Sequence, residues 1–223
     1  LAIALVDLNV LFGDAPTLLD VEIKHHWGEI TNNVDRLDTT FMMSALSEHD
    51  SGLFLLPSPS DLHNNSRVTP QAVASVLEQL KQMFDYVVID SGQALDDTFF
   101  KIYEMSDDFI LISIQTLPCV MNTYKLLYTL ADLGYSPRDR VQVVLNRYMK
   151  SKDIDDAFIE KTIHQGISWK IPNDYKNTMA AINEGVPVVD YARRSAVSKS
   201  VLRFVDTLSA QDKQKKKTKW KLF

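Results

Sequence analysis

The stretch 86–92, Tyr-Val-Val-Ile-Asp-Ser-Gly, constrains the fold of this chain more than any other. A short apolar run between turn residues is typical of a strand covered on both faces, as in a parallel sheet. An aspartate at the carboxyl end of such a strand lies at the sheet edge where open α/β proteins bind ligands. Asp90 is therefore a candidate binding residue. The alternative is an aspartate that only opens the following turn.

Strand and helix patterns alternate along the rest of the chain. Further apolar runs predict strands at residues 1–7, 52–56, 109–114, 141–145 and 167–171. Amphipathic spacing predicts helices at residues 37–46, 70–84, 95–105, 120–133, 154–164, 174–185 and 197–208, the second with Thr69 as its N-cap. This alternation predicts an α/β fold with a mostly parallel sheet flanked by helices on both faces.

Composition and motifs exclude several classes of function. The single Cys119 excludes an intrachain disulfide, and no apolar run approaches the length of a membrane span. The five histidines lack the spacing of a zinc site. The chain contains neither the phosphate loop GxxxxGK[ST] nor the GxGxxG fingerprint of nicotinamide-dependent dehydrogenases. Residues 1–210 carry a net charge of −10, which argues against broad nucleic-acid binding.

Six segments together resemble a known family. They are Ala-Leu-Val-Asp-Leu-Asn-Val-Leu-Phe-Gly-Asp at 4–14, Ser-Gly-Leu-Phe-Leu-Leu-Pro-Ser-Pro at 51–59, the stretch 84–92, Val-Val-Leu-Asn-Arg-Tyr at 143–148, Ile-Pro-Asn-Asp-Tyr at 171–175 and Ala-Ala-Ile-Asn-Glu-Gly-Val-Pro-Val at 180–188. In this order they resemble the MinD/ParA superfamily of deviant P-loop ATPases. Within it they resemble the CpaE/TadZ group of Flp (tight-adherence, Tad) pilus assembly proteins.

The resemblance implies roles for five residues near the phosphates. It makes Asp90 the Walker B acid that holds Mg²⁺ through water, and Ser91 and Gly92 the start of switch II. Asp7 and Asn9 fall on the Asp-x-Asp of switch I, so Asp7 is expected to reach the metal through water. Asn9 replaces the acid that positions the attacking water, which implies slow hydrolysis or none. Simple turn formation by Asn9 is the alternative.

The resemblance also implies a base site. Asn146 is expected to contact adenine, because its amide offers a donor beside an acceptor; the alternative is a cap on the next turn. Arg147 follows it as a further candidate for contact with the nucleotide, with a salt bridge as the alternative. Pro172, Asn173 and Asp174 are expected to shape the flanking loop. Asp174 also suits the N-cap of the next helix.

In the family the phosphate loop precedes the strand at residues 1–7. The expectation is therefore an N-terminally truncated ATPase domain, residues 1–209, followed by a basic tail, residues 210–223. A degenerate loop is the alternative. Because these 223 residues lack the amides and lysines of that loop, we expect them to bind ATP poorly.

The implied function is an ATP- and Mg²⁺-binding homodimer that localises the Flp (Tad) pilus secretion machinery, with weak ATPase activity or none. It would be cytoplasmic, at a cell pole or at the periphery of the inner membrane. One alternative is a non-catalytic localisation scaffold that has lost nucleotide binding. Another is a ParA/MinD-type partitioning ATPase. No sequence-specific nucleic-acid partner is expected.

The basic tail allows two interpretations. Its six lysines begin at Lys213, and Trp220, Leu222 and Phe223 lie among or after them. Lysines with a few large apolar residues suit weak contact with an anionic membrane surface. The low apolar content favours a disordered, solvated tail instead.

Overall fold

The computed structural model describes residues 1–9, 13–31, 33–58, 68–150 and 153–220, without the side chains of 35, 139 and 211–220. Motif residues Val10, Leu11, Phe12 and Pro59 therefore lie outside the described part, as do Leu222 and Phe223 of the tail. The chain divides into two compact units, residues 1–106 (unit 1) and residues 107–223 (unit 2). Each unit is built around its own sheet.

Unit 1 contains a four-stranded sheet. Its strands are β1 (Ile3–Asp7), β2 (Ser47–Glu48), β3 (Leu53–Leu56) and β4 (Tyr86–Asp90), in the order β2-β3-β1-β4. Its helices are α1 (Ala15–Leu18), α2 (Trp27–Thr31), α3 (Thr39–Ala45), α4 (Pro70–Met83) and α5 (Asp97–Met105). The strand β1 pairs in parallel with both β3 and β4, whereas β2 is antiparallel to β3. The carboxyl ends of the three parallel strands therefore share one edge of the sheet.

Helix α4 covers one face of this sheet. The hydroxyl of Thr69 accepts a hydrogen bond from the peptide N–H of Ala72 at 3.2 Å, which confirms the predicted N-cap. The buried side chains of α4 recur at helical spacing and join the same core cluster as alternate residues of β1: Val73, Val76, Leu77, Leu80, Ala4 and Val6. Burial of this face fixes the sheet against α4.

Unit 2 contains a three-stranded parallel sheet. Its strands are β5 (Phe109–Ile114), β6 (Val141–Tyr148) and β7 (Ile167–Pro172), in that order. Its helices are α6 (Leu117–Asp132), α7 (Pro137–Arg140), α8 (Asp156–Ile163), α9 (Tyr175–Asn183), α10 (Val188–Tyr191) and α11 (Ala196–Trp220). On α6, the Thr123 hydroxyl donates to the Ser113 hydroxyl of β5 at 2.9 Å. On α11, Phe204 stacks on Trp169 of β7.

The predicted α/β class with mostly parallel strands is confirmed, with differences at the element ends. β6 continues to Tyr148, so Asn146 and Arg147 lie inside the strand rather than after it. The helix predicted at residues 197–208 extends to Trp220, so the prediction of a disordered tail is wrong for 211–220. Lysine favours helix and the segment contains no Pro or Gly, so nothing in its sequence stops α11. Within the described residues, no helix has both the length and the apolar content that crossing a bilayer requires.

Candidate functional site

The carboxyl ends of β1 and β4 lie side by side in unit 1. The parallel register pairs Asp7 with Asp90, and the peptide N–H of Leu8 donates to the Asp90 carbonyl oxygen at 2.8 Å. The sequence places these two aspartates more than 80 residues apart. The structure therefore brings the two predicted acids together at one edge of the sheet.

The carboxyl group of Asp7 is buried, with 1% of the residue exposed. Its Oδ1 accepts from the peptide N–H of Asn9 at 2.9 Å, and its Oδ2 accepts from that of Ala15 at 3.4 Å. Burial raises the pKa of Asp7; these two N–H groups oppose the rise, and the charges of Asp90 and Asp14 add to it. A cation near this edge would favour the ionised carboxylate.

Trp27 joins the ends of two strands next to Asp7. Its indole N–H donates to the Asp7 carbonyl oxygen at 3.1 Å, and its peptide N–H donates to the Pro57 carbonyl oxygen at 3.4 Å. The residue is fully buried. Trp27 therefore fixes the ends of β1 and β3 relative to each other.

Gly13 lies where the chain has no space for a side chain. A Cβ atom at this position would lie 1.8 Å from Oγ of Ser58, 2.8 Å from its Cβ and 2.8 Å from Oδ2 of Asp7. Ser58 is itself buried, with 6% exposed. The segments that follow β1 and β3 therefore meet over the Asp7 carboxyl group, and glycine permits this close approach.

The turn after β4 lies next to Asn9. Gly92 has a φ of +67°, and its peptide N–H donates to Asp90 Oδ1 at 3.3 Å. A Cβ at Gly92 would lie 3.6 Å from Cα of Asn9 and 3.8 Å from its Oδ1. Ser91 and Gly92 are both half-buried, whereas Asp90 is exposed. One surface at the end of β1 and β4 is therefore formed by Asn9, Asp90 and the turn at Gly92, next to Asp7.

A second group of predicted residues lies in unit 2, at the end of β6. Asn146 pairs with Ile114 of β5. Its Oδ1 accepts from the peptide N–H of Arg147 at 2.8 Å. Arg147 has a φ of +51°, unusual for a residue other than glycine, and its side chain is exposed. For the NH₂ group of Asn146, no hydrogen-bond acceptor is found in the described part of the chain, so its donors face no fixed protein partner.

The end of β7 lies next to this group. Pro172 pairs with Tyr148, and the peptide N–H of Asn173 donates to the Tyr148 carbonyl oxygen at 3.0 Å. Both carboxylate oxygens of Asp174 accept from Asn177, at 3.3 Å from its peptide nitrogen and 2.8 Å from its Nδ2. Asp174 therefore serves as the N-cap of α9, and Asn173 connects the strand ends.

The predicted site residues thus form two groups. Unit 1 brings together Asp7, Asn9, Asp90, Ser91 and Gly92, and unit 2 brings together Asn146, Arg147, Pro172, Asn173 and Asp174. Sequence reasoning missed Trp27 and Ser58 as members of the unit 1 group. Trp27 lies in a polar stretch without periodicity, and Ser58 gave only a turn signal. The described residues contain no group of three or more His, Cys, Asp or Glu placed to hold a metal ion.

No protein-family model matches the chain. The chain is 24% identical over 151 residues to the septum site-determining protein MinD of Thermotoga maritima, and this match covers 65% of the chain and 55% of that protein. The chain therefore spans little more than half the length of this relative.

Among solved structures, the ParA family ATPase of Chlorobium tepidum superposes with a TM-score of 0.85 at 25% identity, covering 91% of this chain and 84% of that one. MinD of Pyrococcus horikoshii, solved with Mg-ADP, superposes with a TM-score of 0.75 at 19% identity, covering 93% and 84%. The chain has the fold of the MinD/ParA family of P-loop ATPases.

Proposed function

We propose that this chain is the larger part of an adenine-nucleotide switch of the MinD/ParA type, binding ATP with Mg²⁺ and hydrolysing it slowly or not at all. The observation that carries the proposal is the placement of Asp7, Asn9, Asp90 and Gly92 at one edge of parallel strands. The MinD of P. horikoshii that shares the fold was solved with Mg-ADP, which supports the choice of ligand.

The carboxyl groups of unit 1 fit a hydrated magnesium ion. Two carboxylates lie on adjacent strand ends, and the pKa of Asp7 is raised mainly by burial and further by the charge of Asp90. Exposed Asp90 would hold the ion through water, and buried Asp7 would hold the switch segment through its two peptide partners. Gly92 leaves its backbone open to a phosphate because it has no Cβ.

Asn9 supports slow hydrolysis. Its amide can orient a water molecule by hydrogen bonding but cannot accept the proton, and it adds no negative charge. Because positioning of the water contributes more to phosphoryl transfer than full abstraction of its proton, we expect Asn9 to lower turnover without abolishing it. We expect Asn9→Asp to raise the hydrolysis rate, with the nucleotide affinity little changed.

The phosphates need a loop of backbone amides, and the sequence contains no GxxxxGK[ST] motif to supply one. The edges of two strands that are unpaired in the described part of the chain support a separate loop. In unit 1, β4 pairs only with β1 among the described strands, and its Val88 is 53% exposed. In unit 2, β5 pairs with β6 and with no other strand in the part of the chain that the structure describes, and Ile112 is also 53% exposed. Parallel strands are normally covered on both faces, and natural edge strands are protected. We propose that the strand leading into the phosphate loop adds to β4.

Nucleotide titrations test these assignments. We expect the full-length natural protein to bind ATP at least about tenfold more tightly with Mg²⁺ than with EDTA, and Asp90→Asn to remove that difference. Asn146→Leu should weaken ATP binding while leaving the magnesium response intact. Micromolar ATP binding by the 223 residues alone would contradict the separate phosphate loop. A full-length protein that binds no ATP would favour the non-catalytic scaffold.

The biological role proposed is localisation of the Flp (Tad) pilus machinery by a nucleotide-dependent homodimer at a cell pole or the inner membrane. Its support is the set of six sequence segments. The lysine-rich end of α11 would contribute weak contact with anionic lipid. Deletion of the gene should abolish polar pili while chromosome and plasmid partitioning stay normal. The opposite result would favour a partitioning ATPase, as would a low-salt gel shift with DNA.

A further inference from the structure

Gln115 connects the end of β5 to the loop that follows β6. Its Oε1 accepts from the peptide N–H of Met149 at 2.8 Å, and its Nε2 donates to the Ile154 carbonyl oxygen at 3.2 Å. The half-buried side chain therefore joins the start and the end of this loop. Both functions of the amide are used, one as acceptor and one as donor.

The same loop is also held from the β7 side. The peptide N–H of Asn173 donates to the Tyr148 carbonyl oxygen, and Lys170 donates to the Asp156 carboxylate at the start of α8. The Tyr148 hydroxyl also reaches that carboxylate, at 3.5 Å. On the β5 side the glutamine amide holds Met149 and Ile154, so its loss would leave the loop anchored from one side.

Asn146 depends on the position of this segment. Its side chain is bonded to the peptide N–H of Arg147, whose φ of +51° is costly for a residue with a Cβ. Such a conformation persists only where the surrounding contacts impose it. The bond from Met149 to Gln115 lies two residues beyond Arg147 and fixes the chain at that point.

We propose that Gln115 is a positioning residue for recognition of the nucleotide base. It fixes the chain after Asn146, which keeps Arg147 in its left-handed conformation and directs the free NH₂ group of Asn146 to the base. The inference rests on the proposed function, because it assumes that Asn146 reads adenine. The ligand of this site would be a purine nucleotide, and the role of Gln115 would be measured as the preference for ATP over GTP.

The test compares Gln115→Met with Gln165→Met in the full-length natural protein. Gln165 also lies in unit 2, and its Nε2 donates to the Val141 carbonyl oxygen, at the opposite end of β6. We expect Gln115→Met to lower the ratio of ATP to GTP affinity about five- to tenfold, the worth of one or two hydrogen bonds. Gln165→Met should leave the ratio unchanged. The affinities are measured by titration with each nucleotide.

Amide hydrogen exchange at Met149 provides a readout that does not depend on nucleotide. It should be slow in the parent and in Gln165→Met, and at least about tenfold faster in Gln115→Met. Gln115→Glu keeps the acceptor for Met149 but loses the donor to Ile154. Its second carboxylate oxygen then faces the Ile154 carbonyl oxygen without a hydrogen between them, so the variant should give protection and preference for ATP that lie between those of Gln115→Met and the parent.

The two proposals fail in different ways. If the parent binds ATP and Gln115→Met keeps the parental preference, the inference about Gln115 is wrong and the proposed function stands. An equal loss of ATP and GTP affinity also overturns it, because that result indicates a general structural effect. If the parent binds no nucleotide although Met149 is protected, the proposed function has failed and the base-positioning role falls with it.

Discussion

Unit 1 and unit 2 place polar side chains at the same kind of sheet edge, but those of unit 1 are acidic and those of unit 2 are neutral amides. Unit 1 has 16 acidic and 5 basic side chains, a formal net charge of −11. Unit 2 has 13 acidic and 19 basic side chains, a formal net charge of +6, of which +5 lies in residues 211–223. The carboxyl ends of the strands present aspartates in unit 1, whereas in unit 2 they present amides such as Asn146, Gln115 and Asn173.

The difference indicates what each unit can recognise. The aspartates at the edge of unit 1 repel phosphates unless a cation lies between, so this edge suits a metal ion and a responsive switch. In unit 2, neutral amides offer directed donors and acceptors, which suit the edge of a base. Unit 1 therefore has side chains suited to a metal ion, and unit 2 has side chains suited to a base.

Substitution of Gly13 tests how tightly the chain is packed around Asp7 at the sheet edge of unit 1. In Gly13→Ala the new Cβ meets three atoms closer than 3.0 Å, two of them in Ser58. Rotation of the Ser58 hydroxyl leaves its Cβ in place, so the segment must shift. We expect the free energy of unfolding to fall by about 1–3 kcal/mol, measured by urea denaturation.

Gly166 in unit 2 provides the matched control for this change. A Cβ there would lie 3.9 Å from Oε1 of Glu160, an ordinary contact, so Gly166→Ala should change stability by less than about 0.5 kcal/mol. Ser58→Gly in the Gly13→Ala background should recover part of the loss. Equal effects of the two alanine substitutions would contradict the inference that Gly13 is more tightly packed than Gly166.

The pH dependence of the stability of the Asp7→Asn variant tests the electrostatics at the acidic edge of unit 1. The folded pKa of Asp7 is raised, so ionisation of Asp7 destabilises the folded state as pH rises through that pKa. The variant lacks this cost. The free energy of unfolding of the variant, relative to that of the parent, should therefore increase from pH 4 upward and then level off. The total increase should be about 1.4 kcal/mol for each unit by which the folded pKa of Asp7 is raised.

Urea denaturation across the pH 4–8 range measures this difference. Loss of the weaker bond from Ala15 adds a constant cost that does not depend on pH. In the Asp90→Asn background the increase should be smaller but still present, because burial is the larger cause. A difference that does not change with pH would contradict the raised pKa.

The fold was accessible from the sequence because the buried strands and amphipathic helices have strong periods. Residues 109–114 were predicted as a strand and form β5 with the same bounds. Short elements were missed: α1, α2, α7 and α10 have only four or five residues each, too few for a helical period, and β2 has only two. The end of β6 was predicted too early because Asn146 and Arg147 have polar side chains.

The site was predictable only where a residue follows a strand. Asp7 and Asp90 were found because each ends an apolar run, and parallel pairing then brings them together. Trp27 and Gln115 act through hydrogen bonds to peptide groups far away in sequence, and such bonds leave no local pattern. Gly13 was part of a turn motif, but the contact that demands glycine comes from Ser58, 45 residues later.

The ion pair between Lys170 and Asp156 in unit 2 should have a smaller effect on stability than the changes in unit 1. The hydrogen bond to Asp156 raises the pKa of Lys170, so the stabilisation is complete below the unfolded pKa and disappears as pH rises through the folded one. Both side chains are more than a third exposed, so Lys170→Met should cost only about 0.5 kcal/mol at pH 7. High salt should reduce that cost in urea denaturation. Arg193→Met, which removes the more exposed pair with Asp190, should have a smaller effect, and a larger one would contradict this order.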